Sequence, residues 1–394
     1  MEKREYNSRE MKKILNYYIK NNVELAKENK PSIAIEIEGM PGIAKTAIVK
    51  QVASEFDHHY VRLNLSELEV CDLIGLPIYE YEIVKGSETK WVTDKILSLF
   101  TDYKVTGNVR TSYAKPEWIQ GKEDKPIILN LDDYNRISPM MTNACMTLIV
   151  EQRYSTWQLP AGSTVVMTCN PNNQDFFVQA EDSAQETRRM KYNMKASVDI
   201  WAADYAEKAG VDGRCINFLL RHPEIIEGGN ANKDGQVLLK GNLRLWSMYF
   251  DVIRGIRDFE KDIDMILDLG GVSIPQEHIM IFASFIKNGF DKLPTPEELI
   301  TKTPEESIKK LKSVILEGKD KRQDIAAVLT KRLYNYAITN EKDMTPELVR
   351  NYAELLESGC MSPDLAIITA RNLCTRQKFK DMVIRPGIIK LITQ

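Results

Sequence analysis

A glycine-rich loop that ends in a lysine and a threonine offers the clearest chemistry in the sequence. Phosphate-binding loops follow the pattern G-x-x-x-x-G-K-[ST]: backbone N–H groups converge on phosphate oxygens, the lysine reaches the β- and γ-phosphates, and the hydroxyl ligates Mg²⁺. The residues here are Gly39, Met40, Pro41, Gly42, Ile43, Ala44, Lys45 and Thr46. They predict a nucleotide site in which Lys45 contacts the phosphates and Thr46 binds Mg²⁺.

Ala44 stands where the pattern has its second glycine. The exchange preserves the chemistry if Ala44 can hold the required backbone angles. A degenerate glycine-rich turn can also be purely structural. The surroundings favour the phosphate site, because residues 33–37 alternate as a strand does and residues 47–56 carry one apolar helical face. The N-terminus of that helix would add partial positive charge to the site.

Two carboxylates and an amide follow later apolar segments. Residues 125–133, KPIILNLDD, are typical of a strand buried on both faces that ends in Asp132 and Asp133. In a nucleotide site the first carboxylate holds Mg²⁺ and the second orients the attacking water, so Asp132 is the candidate metal ligand and Asp133 the candidate base. Asn170 ends the next apolar strand and could position that water. A solvated strand end and an Asn-Pro turn are the alternatives.

Composition limits the other classes of function. The chain has 394 residues, 43% hydrophobic and 28% charged, which predicts a soluble protein of two or three domains. No apolar run suits a membrane helix and the charged N-terminus resembles no targeting peptide, so we expect a cytoplasmic protein without membrane contact. Scattered cysteines and four histidines support neither a disulfide framework nor a zinc site. A net charge of −3 gives no global attraction to nucleic acid.

The elements around these residues can be placed from periodicity. Helices are expected over residues 8–29 and 138–152, the latter capped by Ser138, and strands over 60–65 and 164–168. Residues 72–92 predict a hairpin with its tip near Gly86, whose aromatic residues either pack on the parent domain or touch a partner. From residue 197 onward the pattern is helical, with a proline-rich linker over 293–307.

Taken together, the motifs resemble those of AAA+ ATPases, and more narrowly the MoxR family. The matching stretches are GMPGIAKT, DLIGLP, LDDYNRISP, residues 143–151, QLP and TCNPNN, which cover roughly residues 30–190 in family order. The resemblance implies a P-loop αβα core with a parallel sheet, an α-helical lid, and a homo-oligomeric ring, commonly a hexamer, with ATP and Mg²⁺ at subunit boundaries. Asp133 departs from the family glutamate, and its shorter side chain would slow turnover.

The resemblance also implies two arginine roles. Arg188 or Arg189, with Arg188 preferred, would reach the γ-phosphate of a neighbouring subunit, the alternative being a solvated surface pair. Arg244, next to Asn242, would sense bound phosphates from the lid, the alternative being a structural salt bridge. The expected domains are a core over residues 1–195 with an N-terminal helix, a lid over 196–300 and a further helical region over 301–394.

The preferred function is an ATP-hydrolysing, chaperone-like ATPase that remodels a protein client. The MoxR resemblance suggests clients with a von Willebrand A domain. Two alternatives stay open: a nucleic-acid-associated motor, which the near-neutral charge does not favour, and a nucleotide-gated scaffold with little hydrolysis, which Asp133 makes plausible.

Overall fold

A computed structural model describes most of the chain. The chain divides into two compact units, Met1–Lys195 and Ala196–Gln394. None of the helices in the described part of the chain is long and apolar enough to cross a membrane. The described residues are 4–171, 187–227, 242–288, 293–317, 320–361 and 363–393.

The first unit contains a six-stranded sheet in which every neighbouring pair of strands is parallel. The strands of the unit are β1 (Glu5–Tyr6), β2 (Ile35–Gly39), β3 (His59–Asn64), β4 (Pro77–Lys85), β5 (Glu88–Thr93), β6 (Lys104–Tyr113), β7 (Ile127–Asp132), β8 (Arg153–Tyr154), β9 (Trp157–Gln158), β10 (Thr164–Cys169) and β11 (Met190–Met194). The strand order in the six-stranded sheet is β1-β11-β2-β10-β7-β3. The helices are α1 (Ser8–Lys27), α2 (Lys45–Ala53), α3 (Val70–Ile74), α4 (Asp94–Leu97) and α5 (Pro139–Glu151).

Local sequence explains these elements. Every residue of β7 and of β10 is buried, as expected for strands covered by helices on both faces. Helix α5 begins where the sequence predicts, because the Ser138 side chain accepts from Met141 N and Pro139 occupies the first turn. Helix α1 begins with a capping box that Asn7 and Glu10 form.

The predicted hairpin is confirmed and belongs to a larger sheet. Strands β4 and β5 pair antiparallel from Glu80↔Thr93 to Lys85↔Glu88, with Gly86 at φ 62° in the turn. Strand β6 then pairs with the other side of β4, which the sequence did not predict. Most of β6 is exposed on both faces, so its residues carry no apolar alternation.

Register brings the ends of four strands together. Asn64 pairs with Asp132, Thr168 pairs with Asp132, and Cys169 pairs with Glu38. Since all these strands run in the same direction, Gly39, Asp132 and Asn170 lie at one edge of the sheet. This carboxyl edge is where open α/β sheets bind ligands.

The second unit is helical. It comprises α6 (Val198–Trp201), α7 (Gly213–Arg221), α8 (Glu224–Glu227), α9 (Leu243–Ile253), α10 (Ile263–Gly271), α11 (Gln276–Lys287), α12 (Pro296–Thr301), α13 (Pro304–Ile315), the short strands β12 (Leu316–Glu317) and β13 (Asp320–Lys321), α14 (Gln323–Thr339), α15 (Pro346–Glu357), α16 (Pro363–Cys374) and α17 (Pro386–Thr393). One hydrophobic core extends from Val198 to Ile388, so helices of the ranges 196–300 and 301–394 share it. The predicted division at residue 300 stays a prediction.

The start of the second unit is tied to α14. Helix α6 continues into a π-helical turn, Ala202–Ala206, whose wider geometry changes which carbonyl groups are bonded within the helix. Thr339 Oγ1 donates to Ala203 O at 2.5 Å, and Asn335 Nδ2 donates to Asp199 O at 3.5 Å. Side chains of α14 therefore hydrogen-bond to carbonyl groups of both α6 and this turn.

The predicted fold class is confirmed. It is an α/β P-loop core with a parallel sheet, followed by helices.

Candidate functional site

The loop between β2 and α2 has the backbone of a phosphate cradle. Gly42 and Ala44 both adopt left-handed angles, with φ 80° and 74°. Such turns point successive N–H groups into one concavity, which the N-terminus of α2 extends. Gly39 is needed for packing, because a Cβ there would lie 2.6 Å from Met194 O. The backbone of the predicted loop thus fits phosphate.

Ala44 holds this conformation without the freedom of glycine. Its angles, φ 74° and ψ 24°, lie in the left-handed region, where a Cβ crowds the backbone. The strain amounts to about 1–2 kcal/mol for an L-residue. The exchange of glycine for alanine therefore leaves the loop geometry intact at a cost in stability.

The Lys45 ammonium lies over the loop. Its Nζ donates to Gly39 O at 2.6 Å, to Met40 O at 3.0 Å and to Asn170 Oδ1 at 3.2 Å. These acceptors come from the loop and from the end of β10. The only charge in the loop motif therefore lies between the phosphate cradle and the strand ends.

Thr46 and Asp132 form the predicted metal pair. Thr46 Oγ1 donates to Asp132 Oδ1 at 3.1 Å and to Oδ2 at 3.2 Å. Hydroxyl and carboxylate oxygens are hard ligands that suit Mg²⁺, which nucleotide sites bind through one or two protein oxygens together with phosphate. The donor set therefore fits Mg²⁺.

Asp132 has two further partners that the sequence did not predict. Arg62 of β3 donates from Nε to Oδ2 at 2.8 Å, and Thr168 of β10 donates to Oδ1. Burial would raise the pKa of the Asp132 carboxyl, but the hydrogen bonds from Thr168 and Arg62 and the charge of Arg62 outweigh it, so the pKa lies below its usual value. Asp132 is therefore held as a carboxylate.

Asp133 and Asn170 meet as candidate base and water-positioning residue. Asp133 adopts φ 54°, and its Oδ1 accepts from Asn170 Nδ2 at 3.3 Å. Asn135 fixes Asn170 from behind: its Nδ2 donates to Asn170 O at 2.6 Å, and its Oδ1 accepts from Asn170 N at 3.4 Å. Asn135 lies inside the LDDYNRISP motif, but its residue type and spacing did not predict this role.

The two candidate trans arginines differ in environment. Arg189 is buried, ion-pairs through Nε with Glu36 of β2, and lies 5.2 Å from the centroid of the Tyr134 ring. The Arg189 charge is therefore used inside the core, and a role of Arg189 at a neighbouring subunit stays a prediction. Arg188 is exposed.

Arg244 belongs to the second unit. It is exposed in the first turn of α9, which begins after Asn242, whose Oδ1 accepts from Leu245 N at 2.8 Å. The local structure is the predicted helix start. The role of Arg244 in sensing phosphate stays a prediction.

Comparisons with known proteins give low similarity. No protein-family model and no curated protein matches the sequence. A candidate ATPase from Cytophaga hutchinsonii is 17% identical with a TM-score of 0.31, over 91% of this chain and 88% of that chain. A RuvB point mutant from Thermotoga maritima is 11% identical with a TM-score of 0.35, over 86% and 93%. NtrX from Brucella abortus, in complex with ADP, is 13% identical with a TM-score of 0.34, over 86% and 68%.

At TM-scores below 0.5 these similarities carry no argument about activity. The function has to follow from the residues at the carboxyl edge of the sheet.

Proposed function

We propose that this chain is an ATP-hydrolysing AAA+ ATPase of the MoxR type. One observation carries the proposal: a single amide, that of Asn170, contacts both Lys45 and Asp133, while Thr46 next to Lys45 contacts Asp132. Groups for phosphate, metal and water therefore converge at one edge of a parallel sheet. These residues come from three separate segments, the phosphate loop, the end of β7 and the end of β10, so their convergence is a property of the fold.

Each residue would have a separate task in hydrolysis. The loop N–H groups and Lys45 bind the β- and γ-phosphates, while Thr46 and Asp132 supply oxygen ligands. Bound Mg²⁺ would neutralise charge on the phosphate oxygens. Asp133 accepts a proton from the attacking water and Asn170 orients that water, so that ATP and water give ADP and phosphate.

Assembly and client follow from the resemblance. Arg188, exposed beside a buried arginine, would reach the γ-phosphate of a second copy in a homo-oligomeric ring, a hexamer in the MoxR family. Arg244 would sense the phosphates from within the same chain. We propose a protein client, with von Willebrand A domain proteins as the first class to test.

The test is nucleotide binding and hydrolysis by matched lysine variants. Lys45→Ala should abolish Mg²⁺-dependent binding of a fluorescent ATP analogue, because it removes the charge aimed at the phosphates. Lys50→Ala, an exposed change one turn further along α2, is the control and should bind like the parent. Undiminished binding by Lys45→Ala would contradict the proposal.

Asp133 supports a second candidate, a nucleotide-gated scaffold that hydrolyses little. Its side chain is one methylene shorter than glutamate, and its Oδ1 is already hydrogen-bonded to Asn170. Both features weaken a general base. A parent protein that binds ATP with Mg²⁺ but does not release phosphate would favour the scaffold.

A further inference from the structure

Both oxygens of the Asp132 carboxylate already have donors. Oδ1 accepts from Thr168, Thr46 shares its one proton between Oδ1 and Oδ2, and Oδ2 also accepts from Arg62 Nε at 2.8 Å, with Arg62 Nη2 in ion-pair contact at 2.6 Å. An ionised carboxylate offers about four lone-pair sites. A metal ion or its bound water could therefore use Oδ2 only if a donor moves aside.

Arg62 is the donor that can yield. Thr168 is buried within the sheet and Thr46 is itself a candidate metal ligand, whereas the Arg62 side chain is 51% exposed. Asn64, not Arg62, is the register partner of Asp132, so Arg62 reaches the carboxylate from two residues away with its long side chain. The half-exposed guanidinium can rotate into water and stay hydrated, which neither threonine can do without leaving the sheet or the metal site.

We infer that Arg62 is a positioning residue that sets the Mg²⁺ concentration the site requires. The inference rests on the proposed function. Arg62 keeps Asp132 oriented by holding Oδ2, and it opposes the metal in two ways: it occupies that oxygen, and its positive charge repels a divalent cation at short range. Neither effect acts on nucleotide binding in the absence of metal. Replacing Arg62 should therefore leave the metal-free affinity for nucleotide nearly unchanged.

The experiment measures binding of a fluorescent ATP analogue as free Mg²⁺ is raised at constant ionic strength. In Arg62→Gln the half-saturating Mg²⁺ concentration should fall about threefold to tenfold, while analogue affinity in EDTA changes less than about twofold. Arg62→Met, which keeps the aliphatic length, should behave in the same way. Arg62→Lys keeps the charge and should show the smaller shift. Circular dichroism establishes that each variant is folded.

Arg110→Gln is the matched control. Arg110 donates from Nε to Glu80 Oε2 at 2.7 Å, its Nη2 lies 2.7 Å from the same oxygen, and its side chain is 47% exposed, so this pair in the β4–β5–β6 sheet resembles the Arg62–Asp132 pair. Its Mg²⁺ dependence should match that of the parent.

Two results would overturn the inference, and they are distinguishable. If both charge-removing variants need as much Mg²⁺ as the parent, or more, Arg62 does not set the requirement and the proposed function still stands. If the parent binds the analogue equally well with and without Mg²⁺, the proposed function fails and the inference fails with it.

Discussion

Lys45 and Asp133 are both hydrogen-bonded to the side-chain amide of Asn170, one to its oxygen and the other to its nitrogen. Asn170 Oδ1 accepts from Lys45 Nζ at 3.2 Å, and Asn170 Nδ2 donates to Asp133 Oδ1 at 3.3 Å. Asn135 in turn holds the backbone of Asn170 on both its N–H and its carbonyl. A cation from the loop and a carboxylate from the neighbouring strand end are thus fixed relative to each other by an amide that carries no charge.

Asn170→Ala should lower turnover more than binding. The change removes the group that spaces Lys45 from Asp133, and loss of such positioning costs roughly 10- to 100-fold in rate. ATP affinity should change by less than about threefold, because the loop and Lys45 remain. Steady-state phosphate release and titration with a fluorescent ATP analogue measure the two effects.

Asn108→Ala, in exposed strand β6, is the control and should leave both quantities unchanged. Equal turnover in Asn170→Ala and the parent would mean that Asn170 serves only as a turn residue before Pro171.

Asp133→Asn should reduce hydrolysis strongly with nearly unchanged binding. General-base assistance typically contributes roughly 10²- to 10⁴-fold, and an amide cannot accept the proton. Asp133→Glu should raise the rate, since the added methylene extends the carboxylate toward the phosphate side. Steady-state ATP hydrolysis by the parent, Asp133→Asn and Asp133→Glu measures these effects. An unchanged rate in Asp133→Asn would favour the scaffold.

Ala44→Gly should stabilise the protein. It relieves the left-handed strain of about 1–2 kcal/mol, partly offset by the extra freedom of glycine in the unfolded chain, about 0.5–1 kcal/mol. Ala47→Gly, the same exchange three residues later in α2 at an exposed position, should instead destabilise by about 1 kcal/mol. Urea unfolding of the three chains measures the difference. Shifts of the same sign would contradict the assignment of strain to Ala44.

Replacing Arg188 should affect activity in the assembly, whereas replacing Arg189 should affect folding stability. Arg188→Ala should leave unfolding unchanged within about 0.5 kcal/mol and lower ATP hydrolysis, whereas Arg189→Ala should destabilise by about 3 kcal/mol. This destabilisation is near the lower end of the range for breaking a buried ion pair, because Lys191 remains 3.0 Å from Glu36 and still partly compensates its charge.

Mixing Arg188→Ala with Asp132→Ala tests the assembly role. If Arg188 acts on a neighbour, the mixture should recover some activity, and the rate per subunit of the parent should rise with protein concentration. A concentration-independent rate from a particle that stays monomeric with ATP would contradict this.

The sequence predicted elements whose signals are local. The apolar run before Asp132, the cap at Ser138 and the glycines of the loop each lie within a few residues, and the structure shows the strand, helix and turn expected from them. The convergence of Thr46, Asp132 and Asn170 also followed, because parallel strands end at one edge of a sheet.

Contacts that depend on strand register could not be predicted. Arg62 meets Asp132 only because β3 pairs with β7, and Arg189 meets Glu36 only because β11 pairs with β2. Nothing in the local sequence distinguishes a buried arginine from the exposed Arg188 beside it. Strand β6 was missed for a different reason: exposure on both faces removes the alternation from which strands are recognised.

The hydrogen bonds from α14 to the π-helical turn have a consequence for synthesis on the ribosome. Thr339 and its acceptor Ala203 are 136 residues apart in the chain. At about 5–20 residues per second, the turn emerges roughly 7 to 27 s before its partner. During that interval part of the apolar core of the second unit has no covering helix, so the nascent chain exposes apolar surface that favours aggregation.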